Sequence, residues 1–147
     1  MVDKKFIGYQ SEPFDVEVEK GRLKLFAKSV GEQNPVYVDE QAARAAGHRS
    51  LPVMPTFFFC LEMEQSDPYA WFKALDIPMS NALHAEQKFK YHQMAYAGDV
   101  LSFSAEVTDI YDKKGGALEF VVQDNVVRNQ HAQLVAEFRR TLVIQAR

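Results

Sequence analysis

The spacing of hydrophobic residues changes period near the middle of the chain, from helical in the first half to alternating in the second. Asp15 to Glu19 alternates Val16 and Val18 with charged residues, which predicts a short edge strand. From Lys20 the spacing lengthens. Leu23, Phe26, Ala27 and Val30 fall at i, i+3, i+4 and i+7, one face of a helix. Gly31 ends that helix in left-handed backbone. Asp39 caps a short Ala-rich helix through Ala46, with Gly47 as its stop. Leu51-Pro52-Val53-Met54-Pro55 reads as a stiff extended segment. Pro55 suits the first helical position, where its missing N–H costs nothing. Thr56 to Gln65 then carries Phe57, Phe58, Phe59, Leu61 and Met63 on most of its sides, the pattern of a buried helix. Ser66-Asp67-Pro68 breaks it, and Tyr69 to Leu75 supplies one or two further turns.

After Asn81 the period is two. Residues 84–93 form a strand with Phe89 and Tyr91. Leu101, Phe103, Ala105 and Val107 alternate with Ser102, Ser104 and Glu106. Asp112-Lys113-Lys114-Gly115-Gly116 is a hairpin turn. Leu118, Phe120 and Val122 alternate through a strand reaching about Arg128. Asn129-Gln130 reads as a two-residue turn, since Asn tolerates positive φ. Leu134, Ala136 and Phe138 open a last strand to about Ile144. Short turns make consecutive strands antiparallel neighbours. The pattern predicts an α+β fold in which a curved antiparallel sheet wraps one long central helix at 55–65. The edges of such a sheet are commonly covered by a second chain, so a dimer is expected.

Composition narrows the function classes. A chain of 147 residues is most simply one domain over 1–147. At this size roughly 70% of the unfolded surface can be buried. A net charge of -3 with no basic stripe speaks against nucleic acid. Cys60 is the single cysteine, so no internal disulfide forms, and its apolar neighbours make it a buried, inert thiol. No apolar run has signal-peptide or membrane-spanning length, and a cytoplasmic, reducing location is expected. No repeat or low-complexity linker interrupts the chain.

Several ordered segments carry a family resemblance. They are Phe26-Ala27-Lys28-Ser29-Val30-Gly31-Glu32-Gln33-Asn34-Pro35, Tyr37-Val38-Asp39-Glu40, Ala42 to Gly47, Pro52, Pro55-Thr56-Phe57, Leu83 to His92 and Ala97-Gly98-Asp99. In this order and spacing, over roughly residues 8–145, the chain resembles the MaoC-like hydratase/dehydratase family, closest to its N-terminal, FAS1-like dehydratase branch. The resemblance implies a hot-dog fold, a dimer, and a substrate that is an acyl-CoA or acyl-carrier-protein thioester. It also implies the addition of water to a trans-2-enoyl thioester to give the (R)-3-hydroxyacyl thioester, or the reverse. In the hydratase motif G-D-x-N-P-x-H the Asp and the His do the chemistry. Glu32 and Tyr37 stand at those two positions here. Some family members work as heterodimers in which one subunit lacks the Asp/His pair and shapes the acyl channel.

The residues themselves admit specific chemistry. Enoyl hydration needs a base for water, an acid near Cα and donors for the enolate oxygen. Glu32 offers a carboxylate set one methylene further out than Asp; a misplacement of about 1 Å costs on the order of 100-fold. Its alternative is a solvated cap. Tyr37 has a phenol of pKa about 10, a donor rather than a proton acceptor at neutral pH. Its alternative is a packed aromatic. Asn34-Pro35 predicts a rigid loop, with Asn34 beside the substrate in the binding reading. Pro55, Thr56 and Phe57 open the central helix, whose free N–H groups suit a carbonyl oxygen or oxyanion. His84, beside Glu86, is either a structural strand residue or a substitute imidazole. Phe58, Met63, Trp71 and Phe72 are core residues, some of them candidates to line an acyl tunnel. His48, His84, His92 and His131 show no metal spacing, and neither a metal nor a cofactor is expected. Three readings result: an enoyl-thioester hydratase/dehydratase using Glu32, a non-catalytic acyl-binding hot-dog subunit paired with a competent chain, and an acyl-CoA thioesterase, the last on fold analogy alone.

Overall fold

The computed structural model describes residues 2–145. In chain order its elements are β1 (Phe14–Glu17), α1 (Lys20–Ser29), α2 (Glu40–Ala45), α3 (Phe57–Glu62), α4 (Ala70–Ala74), β2 (Ala82–Tyr91), β3 (Val100–Lys113), β4 (Leu118–Asn129) and β5 (Leu134–Gln145). Single 3-10 turns lie at Lys4–Phe6, Pro35–Tyr37 and Met79–Asn81. The five strands form one sheet in the order β1-β3-β4-β5-β2. Every neighbouring pair is antiparallel. Register shifts at Val107/Asp109, His84/Glu86 and Val127/Arg128 insert bulges, and bulges bend and twist strands. The sheet thereby curves over the helices, as expected for an α+β hot-dog fold.

Local rules place the first half. In α1, Leu23 and Ala27 are buried and Phe26 half-buried. Val30 lies past the helix end and is exposed, against the expectation that it continues the buried face. Gly31, at φ +72°, and Gly47, at φ +91°, end their helices in the left-handed backbone predicted for them. The Asp39 carboxylate accepts the Ala42 N–H at 2.8 Å and caps α2.

The core has two parts. Phe57, Phe58 and Leu61 of α3 pack with Leu101, Phe103, Val127, Ala136 and Phe138 of the sheet. Trp71 and Phe72 of α4, with Leu75 and Ile77, pack with Val107, Ile110, Val121, Leu142 and Ile144. The long helix expected at 55–65 is a short one, Phe57–Glu62, and α4 falls inside the further turns expected at 69–75. Pro55 stays outside α3, and Thr56 occupies the cap position. After Glu62 the chain closes: Met63 N–H bonds to both Phe59 O (3.3 Å) and Cys60 O (3.2 Å). The chain then turns to bring α4 onto the other half of the sheet.

Between the two clusters lies a polar layer. The inward face of β4 is Glu119, Val121, Gln123, Asn125 and Val127, all buried. The apolar alternation Leu118, Phe120, Val122 lies on the outer face, where Phe120 stacks on Tyr111 at 4.9 Å. Gln123 stands opposite Arg140 in the β4–β5 register. The Arg140 Nη2 donates to Gln123 Oε1 and to Glu62 Oε1, both at 2.6 Å. These partners let β4 bury its polar side. The β4–β5 turn is also longer than two residues. Ala132 holds the positive φ of 59°, and Asn129 Oδ1 accepts from His131 N (3.0 Å) and Gln133 N (3.1 Å).

Candidate functional site

The loop after α1 is rigid for local reasons. Glu32 N–H bonds to Ala27 O at 2.9 Å. The Glu32 carboxylate accepts the Asn34 N–H at 2.8 Å, and Asn34 Oδ1 accepts the Val36 N–H at 3.1 Å. Pro35 starts the 3-10 turn that ends at Tyr37. This is the stiff Asn34-Pro35 loop read from the sequence, and Asn34 serves as its cap.

Tyr37, half-buried, reaches a cavity of about 330 Å³ walled by Val53, Pro55, Phe58, Tyr91 and His92 among others. Of the residues singled out in the sequence, the structure brings Tyr37, Pro55 and the tunnel candidate Phe58 together there. The others stand apart from it. Glu32 does not line the cavity, and its carboxylate is held by its own loop. His84 is exposed on edge strand β2, its ring 5.4 Å from Phe59 and its Nε2 3.2 Å from Glu86 O. Phe57 is buried against Phe26, ring centroids 4.8 Å apart. The Phe57 N–H already bonds to Met54 O at 3.0 Å. Thr56 is exposed and makes no side-chain cap bond. The start of α3 therefore presents fewer free donors than its sequence suggested.

Sequence reasoning missed His92 as a site residue. It lines the Tyr37 cavity, and its Nε2 lies 2.7 Å from Glu137 Oε2. The pairing arises from the β2–β5 register, which sets Lys90 opposite Glu137. No local signal announces it.

Asp99 of the Gly98-Asp99 segment holds the loops around β3 together. It is buried and accepts from Arg49 Nη2 (2.6 Å), Gln130 Nε2 (3.0 Å) and Tyr96 N (2.9 Å). Burial alone would raise its pKa, but the bonds from Arg49, Gln130 and Tyr96 outweigh it and hold the carboxyl below its ordinary value. Arg49 also lies 4.5 Å over the Tyr96 ring. Cys60 is half-buried rather than buried, and burial pushes its thiol up, away from the reactive thiolate. Among the described residues, no group of three or more His, Cys, Asp and Glu is placed to hold a metal ion. No helix among them is long and apolar enough to cross a membrane.

Comparison with known proteins fits this architecture. The model of the "FAS1-like, dehydratase domain region" family matches residues 5–138. A UPF0336 protein of Streptomyces griseus is 30% identical over 146 residues, covering 99% of this chain and 96% of that protein. Among solved structures, the chain is similar to one in the C-terminally truncated HadBC (3R-hydroxyacyl-ACP dehydratase) complex of Mycobacterium tuberculosis. The TM-score is 0.79 at 24% identity, over 97% of this chain and 99% of that one. It is also similar to a chain of the ChsH1-ChsH2 complex of the same organism, with a TM-score of 0.74 at 25% identity, over 93% and 89%. The R-hydratase PhaJ1 of Pseudomonas aeruginosa shares the fold, with a TM-score of 0.68 at 20% identity, over 96% and 83%. The chain belongs to the FAS1-like, dehydratase domain region family, and its hot-dog fold is the one these solved structures share.

Proposed function

We propose that this chain is the acyl-binding, catalytically incomplete half of a hot-dog dehydratase acting on (R)-3-hydroxyacyl or trans-2-enoyl thioesters of CoA or carrier protein. The observation that carries the reading is Tyr37. It occupies the place of the family's histidine on the wall of an apolar cavity, and its hydroxyl holds no hydrogen bond among the described residues. A phenol hydroxyl is a hydrogen-bond donor, not the base that takes a proton from water as an imidazole does. Glu32, at the place of the family's Asp, is turned to its own loop. The cavity remains useful without them: about 330 Å³ is within the range of small-ligand sites.

A second hot-dog chain supplies the acid–base pair in this account. Edge strand β2 is ten residues long. Leu83 and Tyr91 on it, and Met94 just beyond, are exposed hydrophobics, the features of an edge that another chain covers. Both M. tuberculosis neighbours are described as complexes. Acyl thioesters as substrates put the work in the cytoplasm.

A self-sufficient hydratase is the second reading, and His92 is the observation that favours it. Its imidazole lines the Tyr37 cavity and is oriented by Glu137 at 2.7 Å. Hydration of a short trans-2-enoyl-CoA by the purified chain, with and without a co-expressed hot-dog partner, separates the two. The heterodimer reading expects turnover only with the partner. Turnover by the chain alone, lost in His92→Ala, supports the second.

A further inference from the structure

A second cavity, of about 460 Å³, lies between residues 9–15, the stretch from α3 to α4, and the inner faces of β3 and β4. It shares no lining residue with the Tyr37 cavity. Asn125 of β4 lines it. Its register neighbours are Ala105 on β3 and Phe138 on β5, so no polar side chain sits across from it on either strand. Asn125 is 1% exposed, and both its Nδ2 and its Oδ1 lack a hydrogen-bond partner. Glu62, which lines the same cavity, is 4% exposed and keeps Oε2 without a partner while Oε1 is held by Arg140. By contrast Gln123, two residues from Asn125 on the same face, is bonded to Arg140.

Burying polar atoms without partners is costly. A side chain carrying two of them, beside a cavity, points to a ligand. We propose that this cavity binds an uncharged carboxamide carried on a flat apolar body. The edge of Asn125 offers a donor and an acceptor side by side. A carboxamide answers both: its carbonyl accepts from Asn125 Nδ2, and one N–H donates to Asn125 Oδ1. Its second N–H suits the free oxygen of Glu62. Trp71 and Phe103 supply aromatic wall for the apolar body.

The charges select against ions. Glu12, Asp15, Glu64 and Asp67 join Glu62 in the lining, and no Lys or Arg does. An anionic ligand is repelled. Three of the five acids are already paired: Glu62 with Arg140, Glu64 with Arg22 and Asp67 with Lys73. A cation would also face the Asn125 Nδ2 donor, which it cannot satisfy.

Trp71 is the only tryptophan of the chain, so its fluorescence reports on this cavity. The test titrates the full chain with benzamide and with three bodies of the same shape: benzoate, benzylamine and toluene. Benzamide is expected to change Trp71 emission saturably, with benzoate, benzylamine and toluene at least about tenfold weaker. Asn125→Leu is expected to weaken benzamide by at least about tenfold while leaving the urea midpoint equal or higher, because two uncompensated atoms are removed. Should that variant not fold, the Asn125 side-chain amide resonances of the wild type are followed instead, and they are expected to shift with benzamide and not with toluene. Equal responses to benzamide and toluene, a stronger response to benzylamine or benzoate, an Asn125→Leu protein that binds benzamide unchanged, or a cavity holding water only in a crystal soaked with benzamide would each overturn the proposal. The enoyl-CoA assay reads the other cavity, so the two readings fail separately.

Discussion

Removing the guanidinium of Arg140 from the core isolates the energetics of the polar layer. Arg140 and Glu62 have side chains only 7% and 5% exposed, with N and O 2.6 Å apart. The cation also lies 5.4 Å from the Trp71 ring and 5.7 Å from Phe59. In Arg140→Met the Glu62 carboxylate stays buried without its counter-charge, and breaking such a pair costs about 3–5 kcal/mol. At about 2–4 °C per kcal/mol for a chain of this size, Tm falls by roughly 6–20 °C. The pair itself is imperfect: Glu62 Oε2 and Arg140 Nε have no partners, so part of each desolvation cost is unreturned. The double variant Glu62→Met/Arg140→Met removes both charges and leaves only Gln123 Oε1 without its Arg140 donor, so it is expected to recover most of the loss, to within about 1–3 kcal/mol of wild type. Urea unfolding followed by far-UV circular dichroism measures wild type, Arg140→Met, Glu62→Met and the double variant, which avoids Trp71 as a probe beside the mutated site. A single variant costing under about 1 kcal/mol, or a double variant as unstable as the two singles added, would refute the reasoning.

Three further outcomes follow from particular contacts. Asp99 has a folded pKa below its unfolded value of about 3.9, so its contribution is complete above about pH 5 and drains away as pH falls through the folded value. Asp99→Asn should cost about 1–3 kcal/mol at pH 7 and flatten the loss of urea midpoint between pH 5 and pH 3; an unchanged acid limb would contradict this. Gly47→Ala should cost about 1–2 kcal/mol from backbone strain alone, since a Cβ there meets no atom within 4 Å; circular dichroism melting measures it. Met94→Trp, at the mouth of the Tyr37 cavity, should lower kcat/KM of the assembled dehydratase about tenfold for long acyl chains and little for short ones; equal effects on both would place the acyl chain elsewhere.

What the sequence could reveal was local. Gly31, Gly47 and Asp39 act within four residues of themselves, and their helices end and begin where expected. The long strands β3 and β5 follow their alternation, because Leu101, Phe103, Phe138 and Leu142 meet apolar partners. The misreadings lie where a distant partner decides. Asn125 and Gln123 look like a solvent face until Arg140 and the cavity are placed against them. Glu62 ends α3 as a buried residue because Arg140, 78 positions away, neutralises it. The site is legible to the same degree. The loop from Glu32 to Tyr37 was readable as rigid, and the departures from the family motif stand in plain sight. His92 was invisible because Glu137 is 45 residues distant. The Phe57 N–H reads as a free donor in the sequence because its bond to Met54 depends on where α3 begins.

The most direct test of the account is hydration of a short trans-2-enoyl-CoA by the purified chain alone, followed as loss of enoyl absorbance. The folded protein alone is expected to show no turnover, and to turn over once a second hot-dog chain carrying the Asp/His pair is added. Turnover by the chain alone that disappears in Glu32→Gln would contradict it and return catalysis to Glu32.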